Sequence, residues 1–190
     1  MELLENKIRE CGKVLGENIL KVDSFLNHRI DVKLLNEMGK EWARLYEGCG
    51  VNKILTIEAS GNGIACRAAQ YFGCDVVFAK KSKSKNVSDD FYTAKVESFT
   101  HGNVNDITVS KEHIGKGDRI LIIDDFLALG NALKGLIGIV KVSGAELVGA
   151  GIAIEKAYQN GGKEIRESGV RVESLARVKK MTADGQIEFC

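Results

Sequence analysis

Four short apolar runs set the limits on what this chain can fold into. They are KILTIE at 53–58, DVVFAK at 75–80, RILIIDD at 119–125 and ELVGAGIAIE at 146–155. All are rich in branched residues and bounded by glycine or polar turn residues, which marks them as strands. Helical patterns lie between them: IACRAAQYF after the first, and NALKGLIGIVKVSG after the third. A helix GKEIRES and a strand VRVESLARV follow the fourth. Strands this uniformly apolar must be covered on both faces, and the alternation with helices supplies that cover. The expected fold class is α/β, with a mainly parallel central sheet flanked by helices. YTAKVESFT (92–100) and NDITVSKEHI (105–114) read as a β-hairpin excursion from that sheet, turning at His101-Gly102-Asn103.

The first fifty residues differ in rhythm. Leu4, Ile8, Cys11 and Leu15 recur at helical steps, and Gly16 would end that helix. NILKVDSFLNHRI (18–30) shows no clear period and reads as extended. Asp31 is an N-cap candidate for a second helix carrying Leu34, Leu35, Met38, Trp42, Leu45 and Tyr46 on one face, stopped at Gly48. The chain of 190 residues fits a single domain, residues 1–190, with 1–50 as a small N-terminal hood or flank and 51–190 as the core.

Composition excludes several classes of function. The net charge of +1 gives no broad basic field, so no nucleic acid is expected as partner. No stretch free of Asp, Glu, Lys and Arg exceeds eight residues, too short for a membrane-spanning helix. MELLENKIRE is charged from its second residue and lacks an apolar segment, so no secretory signal is expected. Cys11, Cys49, Cys66, Cys74 and Cys190 are odd in number, widely spaced and without a C-x-x-C. The histidines (His28, His101, His113) complete no ligand set with them, so neither a disulfide framework nor a protein-held metal is expected. The thiols read as small hydrophobes of a reducing, cytoplasmic compartment. Proline is absent, so no X-Pro cis bond exists and turns rest on Gly, Asn and Asp.

In an open α/β sheet, ligands bind beyond the carboxyl ends of the strands. That directs attention to the residues after Glu58, Lys80, Asp125 and Glu155. The strongest signal is ILIIDDFLALGNAL (120–133), a buried strand that ends in two adjacent acids and turns through glycine into a helix. Like charges side by side cost energy. Vicinal sugar hydroxyls would justify them, because a carboxylate accepts two O–H bonds. The loop Ala128-Leu129-Gly130-Asn131-Ala132 can present backbone N–H groups to a phosphate. Sugar hydroxyls beside a phosphate describe a phosphoribose. From spacing alone, the alternative that Asp124 and Asp125 only cap a helix or line a turn stays open.

Gly61-Asn62-Gly63 also follows a strand and opens a helix, as a dinucleotide fingerprint does. Its third glycine position is Cys66, however, and the next strand ends in Lys80-Lys81 where that fingerprint needs an acid. Lys80, Lys81, Lys83 and Lys85 make a basic run. Lys80 or Lys81 is placed to meet anionic oxygens, whereas Lys83 and Lys85 read as a solvated loop that could close over a substrate. Lys156 either pairs with Glu155 at the surface or faces a ligand. As a pure donor, it would favour an exocyclic oxygen over an amino group.

The segment 120–133 resembles the phosphoribosyl-pyrophosphate signature of type I phosphoribosyltransferases. KVDSFLNH (21–28), ILIIDDFLA (120–128), IEK (154–156) and RVESLAR (171–177) resemble the xanthine-directed bacterial branch of that family, over nearly the whole chain. The resemblance implies that Asp124 and Asp125 hold the ribose hydroxyls and favour positive charge at the anomeric carbon. It implies that Ala128, Leu129, Gly130, Asn131 and Ala132 cradle the 5-phosphate, and that Glu58, Ala59, Ser60 and Gly61 form the pyrophosphate loop. Leu20, Asn27 and Lys156 would contact the base, with His28 near it and His101 and His113 on the hairpin surface. The reaction implied is transfer of 5-phosphoribose to N9 of xanthine, with Mg²⁺ carried by phosphoribosyl pyrophosphate, in purine salvage, by a homodimer. Transfer to hypoxanthine, guanine or adenine, or a non-catalytic sensor of the sugar pyrophosphate, are the alternatives. Type I enzymes usually carry hydroxyl or amide residues where this chain has Leu129 and Ala132. Phosphate binding here would therefore rest on backbone N–H groups and Asn131.

Overall fold

The computed structural model describes residues 1–16, 18–82, 90–97 and 104–190. The readings made for Lys83, Lys85 and His101 fall outside them.

The chain begins with helix α1 (Glu2–Cys11) and a small antiparallel pair, β1 (Lys13–Leu15) and β2 (Ile19–Lys21). The expected helix through Leu15 is corrected here. Gly12 leaves helical geometry after its N–H bonds to the Ile8 carbonyl, and Leu15 pairs with Ile19 around Gly16, whose φ is +62°. The i+4 step to Leu15 mimicked helical periodicity, but its side chain is exposed. Nor is 18–30 uniformly extended: after β2 comes a π-helical turn, Asp23–Asn27, that buries Phe25 and Leu26.

Helix α2 (Val32–Leu45) starts as expected, with the Leu34 N–H donating to the Asp31 carboxylate at 3.1 Å. Lys7 holds the other Asp31 oxygen at 3.0 Å. These two partners, the Lys7 hydrogen bond foremost, keep the Asp31 carboxyl below its ordinary range. Asp31→Ala should cost about 1 kcal/mol at neutral pH by denaturant titration, the usual worth of an N-cap. A depressed carboxyl stabilises the fold above its unfolded pKa and loses that effect as pH falls through its folded value. The difference between wild type and variant should therefore shrink in acid.

Among the described residues, the central sheet holds eight strands in the order β10-β9-β8-β7-β3-β4-β6-β5. They are β3 (Lys53–Ile57), β4 (Asp75–Ser82), β5 (Phe91–Glu97), β6 (Val104–Ser110), β7 (Arg119–Leu127), β8 (Glu146–Lys156), β9 (Val172–Met181) and β10 (Ile187–Phe189). Neighbours from β9 through β4 run parallel. The expected hairpin is β5–β6, and it is joined to the sheet: Lys80 to Ser82 of β4 pair antiparallel with Thr108 to Asp106 of β6. The closing strand β10, antiparallel to β9, had no distinct sequence signal.

Residue alternation splits the core into two layers. Ile54, Leu121, Ile123, Ala153 and Leu175 pack with α1, α2 and helix α3 (Ser60–Phe72). Leu55, Ile120, Ile122, Ala150 and Ile152 pack with helices α4 (Asn131–Ser143) and α5 (Gly161–Glu167) and with Ile107 and Val109 of the hairpin. Glycine in ELVGAGIAIE lets α2 lie close. A Cβ on Gly151 would sit 2.8 Å from the Trp42 indole nitrogen. That N–H donates to the Glu173 carbonyl at 3.2 Å, and the Tyr46 hydroxyl donates to Ala150 O at 3.0 Å.

The strand order places the site. From β3 the chain moves outward to β4 in one direction and through β7, β8 and β9 in the other. The β3–β4 register continues to Ile57–Ala79, but the β3–β7 register ends at Leu55–Ile122. The two central strands therefore part at their carboxyl ends, where an open sheet of this kind receives ligands.

Candidate active site

A cavity of about 430 Å³ occupies that parting. Its walls come from five places: Asp124 to Leu133; Ile57 at the end of β3 with Glu58 and Ser60 beyond it; Lys81 of β4; Ile19, Leu20 and Lys156; and Val96, Asn105 and Ile107 of the hairpin.

Strand β7 does not stop at the acids, as the sequence suggested, but runs through them to Leu127. Asp124 is 4% exposed, and its Oδ1 accepts the Asp125 N–H at 3.0 Å. Asp125 accepts the Phe126 N–H at 2.9 Å and the Asn27 side-chain amide at 3.2 Å. Burial, reinforced by the neighbouring Asp125 charge, raises the Asp124 carboxyl well above the ordinary carboxylate range. Positive charge reaching the cavity would favour the ionised pair, and Lys81 already acts on Asp124 in that direction.

The turn Ala128-Leu129-Gly130 leads into α4, which begins at Asn131. Gly130 has φ +82°, a conformation open to glycine at little cost. Asn131, Ala132 and Leu133 of the first helical turn line the cavity wall. Leu129 is exposed at the mouth.

After β3, the predicted loop is shorter than expected. Only Glu58 and Ala59 form the turn, joined by a cis peptide bond, and α3 starts at Ser60. Gly61 and Gly63 belong to its first turn, because Gly61 must pack against Thr56. A Cβ there would lie 2.2 Å from the Thr56 hydroxyl and 3.5 Å from Asp124 Oδ1. The Glu58 carboxylate accepts the Lys81 N–H at 2.6 Å, tying β3 to β4. Glu58 and Ser60 line the cavity; Ala59, which is exposed, and Gly61, which packs against Thr56, are not on its wall.

The two lysines part company. Lys81 faces the cavity, whereas Lys80, by strand alternation, lies on a second groove with Phe78 and Phe91. The structure does not bring Lys80 to the site.

Lys156 is buried, and its ammonium donates to the Asn18 carbonyl at 2.7 Å. It stands 5.9 Å from the centre of the Phe126 ring. Burial lowers its pKa. The alternative of a surface pair with Glu155 is corrected. Glu155 is buried, and Arg166 of α5 grips both of its oxygens at 2.8 and 2.7 Å. Leu20 lines the cavity, and Asn27 reaches it through Asp125. Phe126, Ile57, Asn105 and Thr56 were not singled out by sequence. Thr56 is fully buried, its hydroxyl has no hydrogen-bond partner among the described residues, and mid-strand threonine gives no outward sign of that.

Comparison with known proteins identifies the family. The family model described as a phosphoribosyl transferase domain matches residues 23–180. The xanthine phosphoribosyltransferase 2 of Clostridium botulinum strain Hall is 58% identical over 185 residues, 97% of each chain. The xanthine phosphoribosyltransferase of Lachnoclostridium phytofermentans is 55% identical over 190 residues, 100% of this chain and 98% of that one. Among solved structures, the adenine phosphoribosyltransferase of Giardia lamblia, complexed with 9-deazaadenine, aligns with a TM-score of 0.76 at 18% identity. The alignment covers 92% of this chain and 97% of that one, and at such identity it speaks to the fold alone. The chain belongs to the phosphoribosyltransferase family, in its xanthine phosphoribosyltransferase branch.

Proposed function

We propose that this chain transfers 5-phosphoribose from phosphoribosyl pyrophosphate to N9 of xanthine, releasing pyrophosphate and forming xanthosine 5′-monophosphate. The observation that carries this reading is the placement of the Asp124–Asp125 pair. It lies at the parting of β3 and β7, in one cavity with a glycine turn at a helix start and a buried lysine.

The bond from the anomeric carbon to the pyrophosphate oxygen breaks with its electron pair leaving on pyrophosphate, the bond to N9 forms, and the N9 proton passes to the departing pyrophosphate or to water. Asp124 and Asp125 accept the ribose hydroxyls and favour the positive charge that develops at the anomeric carbon. Backbone N–H groups from Ala128 to Ala132 hold the 5-phosphate. Ser60, Lys81 and the turn at Glu58–Gly61 face the departing pyrophosphate. Lys156 donates to an oxygen of the base, with Leu20 and Asn27 on the same side. Mg²⁺ enters as part of the substrate, on pyrophosphate and ribose oxygens. The protein works by positioning and electrostatics. We further propose that the 190 residues act as one domain, as a homodimer, in purine salvage in the cytoplasm. Among the described residues, no helix is long and apolar enough to cross a membrane.

The test is pyrophosphate release from phosphoribosyl pyrophosphate and Mg²⁺, with xanthine, guanine, hypoxanthine and adenine supplied in turn. The highest kcat/KM is expected with xanthine. A higher value with another base would overturn the base assignment, and release with none would overturn the enzyme assignment.

A further inference from the structure

The phosphate turn does not stand alone. A Cβ built on Gly161, the first residue of α5, would lie 2.3 Å from Ala128 O, 2.4 Å from Leu129 C and 2.6 Å from Gly130 N. All three are backbone atoms of the turn, so no side chain can move aside to admit a methyl group. The contact is reciprocal: a Cβ on Gly130 would lie 3.3 Å from the Gly161 Cα and 3.0 Å from Ile165 of the same helix. The turn lies directly on the bare Cα of Gly161.

That platform is itself anchored. A Cβ on the next residue, Gly162, would lie 2.3 Å from Glu155 Oε1. Glu155 takes both Arg166 hydrogen bonds, a third at 2.5 Å from the Ser174 hydroxyl and a fourth at 3.2 Å from Arg177. Burial alone would raise its pKa, but the bonds from Arg166 and Ser174 hold the carboxyl below its ordinary range. A chain of fixed contacts therefore runs from β8 and β9, through Glu155 and Arg166, to the start of α5 and on to the phosphate turn.

We propose that Gly161 is a positioning residue of this transferase, setting the height of the 128–130 turn, and that the Glu155–Arg166 pair fixes Gly161 against the sheet. This rests on the assignment of that turn to the 5-phosphate. Leu129 and Ala132 bring no hydroxyl to the phosphate, so recognition depends on where the backbone N–H groups and Asn131 point. A shift of the turn by a few tenths of an ångström misdirects them.

The experiment compares wild type with Gly161→Ala, Arg166→Lys and a control, Gly138→Ala. Gly138 is in α4, and its added Cβ would meet nothing within 4 Å. Melting temperature, KM for phosphoribosyl pyrophosphate, KM for xanthine, kcat, and the Kd of pyrophosphate alone are measured. Gly161→Ala is expected to raise KM for phosphoribosyl pyrophosphate at least about tenfold, with kcat, KM for xanthine and the pyrophosphate Kd within about threefold of wild type. Arg166→Lys, which keeps the charge but loses the paired contact, should shift the same constant less, by about three- to tenfold. Gly138→Ala should leave all constants unchanged. An unchanged KM for phosphoribosyl pyrophosphate in a folded Gly161→Ala would overturn the proposal, as would a parallel loss in every constant. If Gly161→Ala does not fold, Arg166→Lys decides by the same criteria. An inactive wild type would instead indict the functional assignment.

Discussion

Asp124→Asn is expected to lower kcat/KM at least about tenfold and to raise the melting temperature, with xanthine as acceptor and Mg²⁺ present. The activity loss follows from charge. A ribosyl cation developing beside two carboxylates is stabilised by both, and donors or charges aimed at a developing charge are commonly worth more than a factor of ten. Asparagine keeps the oxygen that accepts the Asp125 N–H, so the strand should survive. The gain in stability has the opposite origin. In the ligand-free protein Asp124 is buried beside a like charge, and its carboxyl is raised well above the ordinary range. Such a group favours the folded state only while it keeps its proton. Its contribution is complete below the unfolded pKa and is lost as pH rises through the folded value. The neutral amide suffers no such loss. The melting-temperature difference should thus be small in acid and widen as pH rises above the ordinary carboxylate range. Asp125→Asn should lower activity similarly. Full activity in both variants would show that the pair does not hold the ribose.

Lys156→Ala should raise KM for xanthine by about ten- to hundredfold, the equivalent of about 1.5–3 kcal/mol for a hydrogen bond from a charged donor. KM for phosphoribosyl pyrophosphate should change far less. The ammonium is buried at the cavity wall, near the Phe126 ring and bonded to Asn18 O. A base oxygen arriving there meets a donor already stripped of water, where such a bond counts most. Adenine, which carries an amino group at the matching position, gains nothing from a donor. Any trace of adenine transfer should therefore be left intact by the substitution. Equal losses for both substrates would assign Lys156 to holding the N-terminal hairpin through Asn18, not to reading the base.

The layered α/β architecture was legible because its signal is carried by whole segments. RILIIDD and ELVGAGIAIE are too apolar to be anything but covered on both faces, and the left-handed glycines Gly73 and Gly144 close the helices that follow β3 and β7. The mouth of the site was harder to read. Gly61-Asn62-Gly63 looked like a loop, yet it is the first turn of α3, because the glycines serve close packing on Thr56 and Ile30 instead of a turn. Leu15 satisfied a helical period by accident of spacing, and the hairpin it joins is defined by pairing partners no local pattern reveals. The acids announced themselves by position, two charges on a buried strand. Thr56 and the Gly161–Glu155–Arg166 brace did not, since each acts through a contact between segments distant in the chain. The separation of Lys80 from Lys81 is the simple consequence of strand alternation in a run whose end was not visible in the sequence.

Product identification tests the central claim most directly. Xanthine, phosphoribosyl pyrophosphate and Mg²⁺ are incubated with the protein, and the mixture is resolved by chromatography with mass detection. The account predicts xanthosine 5′-monophosphate and pyrophosphate in equal amounts, with neither formed when Mg²⁺ is chelated. Phosphoribosyl pyrophosphate that binds the protein but is recovered intact, with xanthine unchanged, would contradict it.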